Sequence, residues 1–207
     1  LENDRLLAEG QDFSGLNNAN MATPADGLSP RMQMFVFSPP TAAHTLNFNS
    51  LPYAHGIATF GAQSFNVSAE VVVALDGTAS PANSTATDGC TALTNAAAVA
   101  GKIAFIDRGQ CSFDLKVKNA QDANAVGVII GLVAPGTAPN MPPASNPQVG
   151  ITIGAMSVGF DDANTIRTAL SQAGADTAMM FRGVPGPARD GTIDGTIVAH
   201  EWGHYIS

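Results

Sequence analysis

Short apolar runs and helical periodicities alternate along this chain. Two stretches place apolar residues at three- to four-residue spacing, which is typical of a helix with one buried face. They predict helices over 112–124 and 161–173. Runs of β-branched and apolar residues predict strands, namely Arg31–Phe37, Glu70–Leu75, Lys102–Asp107, Val126–Ile130, Val149–Ile153 and Thr177–Phe181. The alternation predicts a compact, β-rich α/β module.

The first predicted helix has a clear inward face and a clear start. Ser112 follows the turn at Gly109 and is expected to act as the N-cap. Lys116 and Lys118 are expected to point to solvent. The inward positions are Phe113, Val117, Ala120 and either Ala123 or Asn124.

Proline and glycine clusters divide the chain into three segments, because proline removes a backbone donor and disfavours a helical predecessor. One cluster follows Ser38 and another spans 183–187. We therefore predict three segments, 1–38, 39–188 and 189–207. Within the middle segment, 134–148 is rich in proline and asparagine and is expected to form a long surface loop.

Composition excludes several classes of function. The chain has 207 residues, of which 45% are hydrophobic, so it can bury a core. Its net charge is −8 and its nine Lys and Arg residues are dispersed, which argues against a nucleic-acid partner. No apolar run approaches the roughly 18 residues of a membrane span, so we expect no membrane insertion. Few lysines and many Asn, Thr, Ser and Gly residues favour a secreted protein.

The chain contains two cysteines, Cys90 and Cys111. We expect a disulfide that joins the loop before the strand at Lys102 to the turn after it. Closing a loop of this length stabilises a fold by on the order of 3 kcal/mol. The alternative is two buried free thiols.

The last segment carries a candidate metal site. His200 and His204 lie four positions apart, so on a helix their imidazoles share a face and can bind one zinc ion. Glu201 stands beside them and can accept a proton from the attacking water. Asp190 or Asp194 is expected to cap this helix, with its buried side formed by Ile197, Val198 and Ile206. The alternative is a helix that carries two surface histidines by chance.

The other two histidines, His44 and His55, lie in the segment rich in proline and glycine. We expect them to be solvated or packed rather than to bind a metal.

Three stretches together resemble the fungalysin family of secreted zinc metallopeptidases, which are gluzincins. They are NNANMATPADG from Asn17, RMQMF from Arg31, and RDGTIDGTIVAHEWGHYIS from Arg189. The resemblance implies a zinc cofactor and a thermolysin-like catalytic domain. It also implies an edge strand that pairs with the substrate backbone, for which Asn18 and Ala19 are the counterparts.

In this family the zinc takes a further glutamate from a helix downstream of the histidines. No such helix follows His204 before Ser207, so we expect the chain to be an inactive fragment that holds zinc weakly.

The intervening block resembles the protease-associated domain, a non-catalytic module of secreted and vacuolar peptidases. Its signature runs from Gly101 to Ile130, with Asn124-Ala125 where that family usually has Gly-Ala. Asn also tolerates the left-handed conformation that this helix end requires. The resemblance implies an α+β chain in which a short-stranded β-sandwich or open barrel with flanking helices is inserted into a metallopeptidase domain.

Two functions of different classes follow. In the first, the chain is part of a secreted zinc endopeptidase that acts on protein or peptide substrates. The inserted domain then lies at the rim of the active-site cleft and selects among large substrates. In the second, the chain is a non-catalytic protein-interaction module. A structural zinc site is a weaker third reading, because such sites close with four ligands and favour cysteine. The sequence indicates no oligomeric state.

Overall fold

The computed structural model of the chain describes residues 5–25, 27–39, 41–77 and 84–206. The chain folds as two compact units. The central unit comprises residues 43–184, and the split unit comprises residues 1–42 together with 185–207. Within the described residues, no helix is both long and apolar enough to cross a bilayer.

The described strands in chain order are β1 (Leu7–Leu16), β2 (Ala19–Ala22), β3 (Arg31–Phe37), β4 (His44–Phe48), β5 (Leu51–Pro52), β6 (His55–Ile57), β7 (Phe65–Val73), β8 (Ile103–Asp107), β9 (Gly127–Gly131), β10 (Gly154–Val158), β11 (Thr177–Arg182) and β12 (Arg189–Asp190). The described helices are α1 (Ala96–Val99), α2 (Phe113–Asp122), α3 (Phe160–Leu170) and α4 (Gly195–Ile206), with a 3₁₀ turn at Gly191–Ile193.

The split unit is a small sheet centred on β3, whose side chains are mostly buried. Strand β1 pairs with β3 in parallel, while β2 and β12 pair with it in antiparallel orientation. Helix α4 packs against β2 and β3. This sheet therefore supports the helix that carries the histidine pair.

The central unit is built on an eight-stranded sheet of order β5-β4-β11-β7-β8-β9-β10-β6. Strands β7 to β10 run parallel, and β11 and β6 pair with the two sides of this set in antiparallel orientation. Beyond β11, strands β4 and β5 continue the sheet in antiparallel orientation. Buried strands of this kind need apolar side chains on both faces. On one face α2 contributes Val117 and Ala120 to the core, and on the other α3 contributes Ala163 and Ile166.

Most predicted strands lie within a residue or two of the observed ones. The main exception is Val149–Ile153, which is not a strand, because β10 begins only at Gly154. Gly150 takes a left-handed conformation with φ of 73°. The side-chain oxygen of Gln121 then accepts the backbone N–H groups of Thr152 and Ile153. A side chain thus satisfies backbone donors that a strand would have used.

Helix α2 confirms its predicted inward face but corrects one expectation. Lys116 is not solvated: it is fully buried, and its ammonium group donates to the carbonyl of Asp88. Lys118 forms an i,i+4 ion pair with Asp122 instead. Ser112 stands at the N-cap position without a capping side-chain bond. Asn124 takes the expected left-handed conformation, with φ of 61°.

Cys90 and Cys111 form the expected disulfide, with their Cα atoms 5.5 Å apart. The bridge joins the segment that precedes α1 to the turn between β8 and α2.

Candidate metal and catalytic site

Two aspartates set the start of the helix that carries the site. The carboxylate of Asp194 accepts the backbone N–H of Thr196 at 2.9 Å and its hydroxyl at 2.6 Å, and these bonds hold the pKa of Asp194 below its ordinary value. Asp190 caps the preceding 3₁₀ turn and also accepts the backbone N–H of Gln11. Of the two predicted caps, Asp194 therefore belongs to α4.

The buried side of α4 differs in part from the expected one. Ile197 and Val198 are half-buried and Glu201 is 5% exposed, whereas Ile206 is 69% exposed. At 100° per residue, Ile206 lies on the opposite side of the helix from Ile197. The expectation that Ile206 contributes to the buried face is therefore wrong.

His200 and His204 meet at one point on the exposed side of α4. Their Nε2 atoms are 3.2 Å apart, and their rings are perpendicular with centroids separated by 4.8 Å. Zinc binds imidazole nitrogen at ~2.0–2.1 Å in tetrahedral geometry, which separates two such nitrogens by about 3.3 Å. The imidazole pair therefore fits two ligand positions of one zinc ion. Among the described residues, no group of three or more His, Cys, Asp or Glu side chains is arranged to hold a metal.

A groove with a volume of about 810 Å³ runs beside this pair within the split unit. It brings together all five residues predicted for metal binding, catalysis and substrate binding: Asn18, Ala19, His200, Glu201 and His204. The lining residues that the sequence did not indicate are Asn17, Asn20, Met21, Thr23, Phe37, Thr196 and Ile197. The stretch NNANMATPADG, whose resemblance to a known family singled out Asn18 and Ala19, was the available signal for four of these residues.

One rim of the groove is the edge strand β2. The carbonyl of Asn18 accepts the N–H of Phe35 at 3.2 Å, so Asn18 faces β3. Because successive residues of an antiparallel strand alternate in direction, the backbone groups of Ala19 face away from β3. Among the described strands, β3 is the one partner of β2. The outer edge of β2 can therefore accept an extended peptide.

His44 and His55 lie in the central unit and contact each other. The Nδ1 atom of His44 is 2.8 Å from Nε2 of His55, and Nδ1 of His55 is 2.8 Å from the carbonyl oxygen of Tyr53. Burial lowers the pKa of His44, with further contributions from His55 and Arg182. His44 is exposed and His55 is half-buried, and the two are held by these hydrogen bonds.

Comparison with known proteins gives one family over the whole chain. The sequence profile of the fungalysin metallopeptidase family (M36) matches residues 1–207. Similar curated proteins include the extracellular metalloproteinase MEP of Neosartorya fischeri, which is 41% identical over 61 residues, covering 28% of this chain and 10% of that protein. The ER degradation-enhancing alpha-mannosidase-like protein 3 of Homo sapiens is 53% identical over 49 residues, covering 24% of this chain and 5% of that protein. The chain thus matches a tenth or less of the length of these relatives.

Solved structures resemble the chain in fold. An aminopeptidase from Aneurinibacillus sp. strain AM-1 matches with a TM-score of 0.53 and 19% identity, covering 84% of this chain and 36% of that one. The zinc aminopeptidase BSAP from Bacillus subtilis matches with a TM-score of 0.50 and 20% identity, covering 84% of this chain and 35% of that one. At these identities the likeness concerns fold alone.

Proposed function

The chain belongs to the fungalysin metallopeptidase family, and from this premise we propose that it is part of a secreted zinc endopeptidase that hydrolyses peptide bonds in proteins. The observation that carries the proposal is the convergence of the His200 and His204 Nε2 atoms, 3.2 Å apart, beside an edge strand. The extracellular metalloproteinases among its relatives support secretion.

In this mechanism His200 and His204 would hold a zinc ion between their imidazole rings. Bound zinc supplies Lewis-acid polarisation of the scissile carbonyl. Catalytic zinc takes three protein ligands, and the resemblance to the family implies that the third would be a glutamate.

Glu201 acts as the general base and acid. Glu201 lines the groove together with His200 and His204 and is 5% exposed. It accepts a proton from the attacking water and donates that proton to the departing amine. The outward backbone groups of Ala19 align the substrate as an added strand, which fixes its carbonyl relative to Glu201.

The test is Glu201→Gln in the intact enzyme, which removes the base and keeps both imidazoles. We expect kcat to fall by ~10²–10⁴-fold while zinc content stays unchanged. The matched control is Glu70→Gln, which alters an exposed carboxylate paired with Lys102 in the central unit. A zinc-loaded Glu201→Gln enzyme with nearly normal kcat would refute the assignment.

We also propose that the central unit is an inserted protease-associated domain that modulates the access of large substrates. The Gly183 N–H donates to the Ala43 carbonyl at 2.8 Å, so the two ends of this unit are adjacent. Adjacent ends allow insertion without stretching the host chain. The resemblance of residues 101–130 to that domain supports the same proposal.

The corresponding test replaces residues 40–186 of the intact enzyme with a Gly/Ser linker. The expected result is a changed kcat/KM on folded proteins and an unchanged kcat/KM on short peptides. Equal effects on both substrates, or no effect on either, would favour a passive insertion. If the intact enzyme proves inactive on every substrate, the non-catalytic interaction module becomes the better description.

A further inference from the structure

The buried ammonium group of Lys116 lies against the disulfide. Lys116 is fully buried, donates to the Asp88 carbonyl, and places Nζ 3.5 Å from Sγ of Cys90. A lysine is almost never fully buried without a partner that compensates its charge. The contact between this ammonium group and a disulfide sulfur therefore requires a physical explanation.

A second donor points at the same sulfur. The backbone N–H of Cys111 lies 3.2 Å from Sγ of Cys90. A sulfur in a disulfide is a weak acceptor, whereas a thiolate is a strong one. The two donors that converge on Cys90 Sγ are thus placed to stabilise a negative charge, and Sγ carries such a charge only after the disulfide breaks. The donors of an oxyanion hole are likewise in place before the charge forms.

The two sulfurs also differ in access. Cys90 is 7% exposed, while Cys111 is partly exposed. An incoming thiol therefore reaches Cys111 first, and the bond then breaks toward the sulfur that the donors surround.

We propose that Cys90–Cys111 is a thiol–disulfide exchange site that reacts with small thiols at Cys111 and releases Cys90 as a thiolate held by Lys116. The thiolate of the small thiol attacks Sγ of Cys111, and the electron pair of the S–S bond goes to Sγ of Cys90. This leaves a mixed disulfide on Cys111. A second thiol then displaces Cys111 as a thiol and leaves the two small thiols joined as a disulfide.

The charges around Lys116 fit this role. Burial lowers the pKa of Lys116, while Asp88, Asp76 and Asp107 oppose that shift and Arg108 adds to it. A thiolate at Cys90 would supply the nearest counter-charge. A lower thiol pKa also makes Cys90 a better leaving group.

The surrounding contacts allow the bridge to open and close again. The segment around Cys90 stays attached to α2 through two bonds that do not involve sulfur. Lys116 holds the Asp88 carbonyl, and the side-chain amide of Asn119 donates to the Gly89 carbonyl at 2.9 Å. Reduction is therefore expected to free the turn at Cys111 and leave Cys90 in place.

The first experiment treats the unaltered protein with reduced glutathione and locates the adduct by peptide mass spectrometry after acid quenching. We expect glutathione on Cys111 and a free thiol at Cys90. Adducts on Cys90, or equal amounts on both cysteines, would overturn the proposal.

The second experiment measures the rate of reduction by dithiothreitol in Lys116→Met, Lys116→Arg and the matched control Lys118→Met on the same helix. If Lys116 lowers the leaving-group pKa by about two units, a Brønsted slope of ~0.5 predicts ~10-fold slower reduction in Lys116→Met. Lys116→Arg should retain most of the rate, and Lys118→Met should match the unaltered protein. An unchanged or faster rate in folded Lys116→Met would refute the role of the ammonium group.

A third measurement covers the case in which Lys116→Met fails to fold. In Cys111→Ser, the thiolate absorbance of Cys90 is titrated against pH. We expect a pKa below the ordinary thiol value of about 8.5. A pKa at or above that value would contradict the proposal whatever the Lys116 variants show.

Discussion

Replacing Asp114 with asparagine tests how the long loop of the central unit is held in place. Asp114 is fully buried at the start of α2. Its carboxylate accepts the backbone N–H of Gln148 at 2.7 Å and that of Ala144 at 3.3 Å, near the end of the proline-rich loop. An asparagine keeps one acceptor oxygen and turns an NH₂ group toward the other donor.

The expected loss follows from these two bonds. Hydrogen bonds to a charged group contribute ~1.5–3 kcal/mol each, and a buried donor left unpaired costs a further ~1–3 kcal/mol. Because the longer bond to Ala144 is the weaker one, we expect Asp114→Asn to lower the free energy of unfolding by about 2–4 kcal/mol. Urea denaturation at pH 7 measures this change, and hydrogen exchange should show faster exchange at Ala144 and Gln148. The control is Asp122→Asn, which removes an exposed ion pair and should cost less than about 1 kcal/mol.

Acid gives an independent check on the same carboxylate. Burial by itself raises the pKa of Asp114, but the hydrogen bonds from Ser112, Gln148 and Ala144 outweigh burial, so its pKa in the folded protein lies below the ordinary value. A lowered folded pKa means that the stabilisation is present above the unfolded pKa of about 3.9 and is lost as the pH falls through the folded value. The difference between the unaltered protein and Asp114→Asn should therefore shrink below about pH 4. A difference under about 1 kcal/mol at pH 7, or one that stays constant into strong acid, would refute this account.

Three further predictions concern the site helix and one helix end. The 207-residue polypeptide should bind zinc weakly, because α4 supplies two imidazole ligands and catalytic zinc takes three protein ligands. A chelator should therefore remove the ion readily. Stoichiometric, chelator-resistant zinc, measured by atomic absorption, would contradict this prediction. Asp194→Ala should destabilise the split unit by ~0.5–2 kcal/mol, since it removes the N-cap of α4; thermal unfolding checks it. Asn124→Ala should cost ~1 kcal/mol because alanine tolerates positive φ poorly, while Asn124→Gly should be neutral or stabilising; urea denaturation of both variants distinguishes them.

Local patterns predicted the parts of this protein that depend on neighbours in the chain. The strand Arg31–Phe37 was found with the predicted bounds, and the start of α4 was placed correctly at one of two candidate aspartates. Each follows from a run of a few residues. The prediction of a strand at Val149–Ile153 was wrong, because the side chain of Gln121, on a different element, accepts backbone N–H groups in that segment.

The candidate site likewise has one part that the local sequence predicts and another that it does not. By itself the sequence determined that His200, Glu201 and His204 share one helix, and that two of them project from one side. Residues i and i+4 of a helix are neighbours whatever surrounds the helix. Family resemblance added Asn18 and Ala19, which lie far from these three along the chain.

Only the tertiary structure decided what surrounds those residues. Because α4 packs on β2 and β3, a groove forms between this helix and the edge strand β2. The same packing brings Phe37 into the lining of the groove. Lys116 likewise stands at a helix position that a solvated lysine could occupy. It is buried because the segment around Cys90 covers it, and that segment is held there by a disulfide and by contacts distant in sequence. Burial depends on what packs against a side chain, and no local periodicity contains that information.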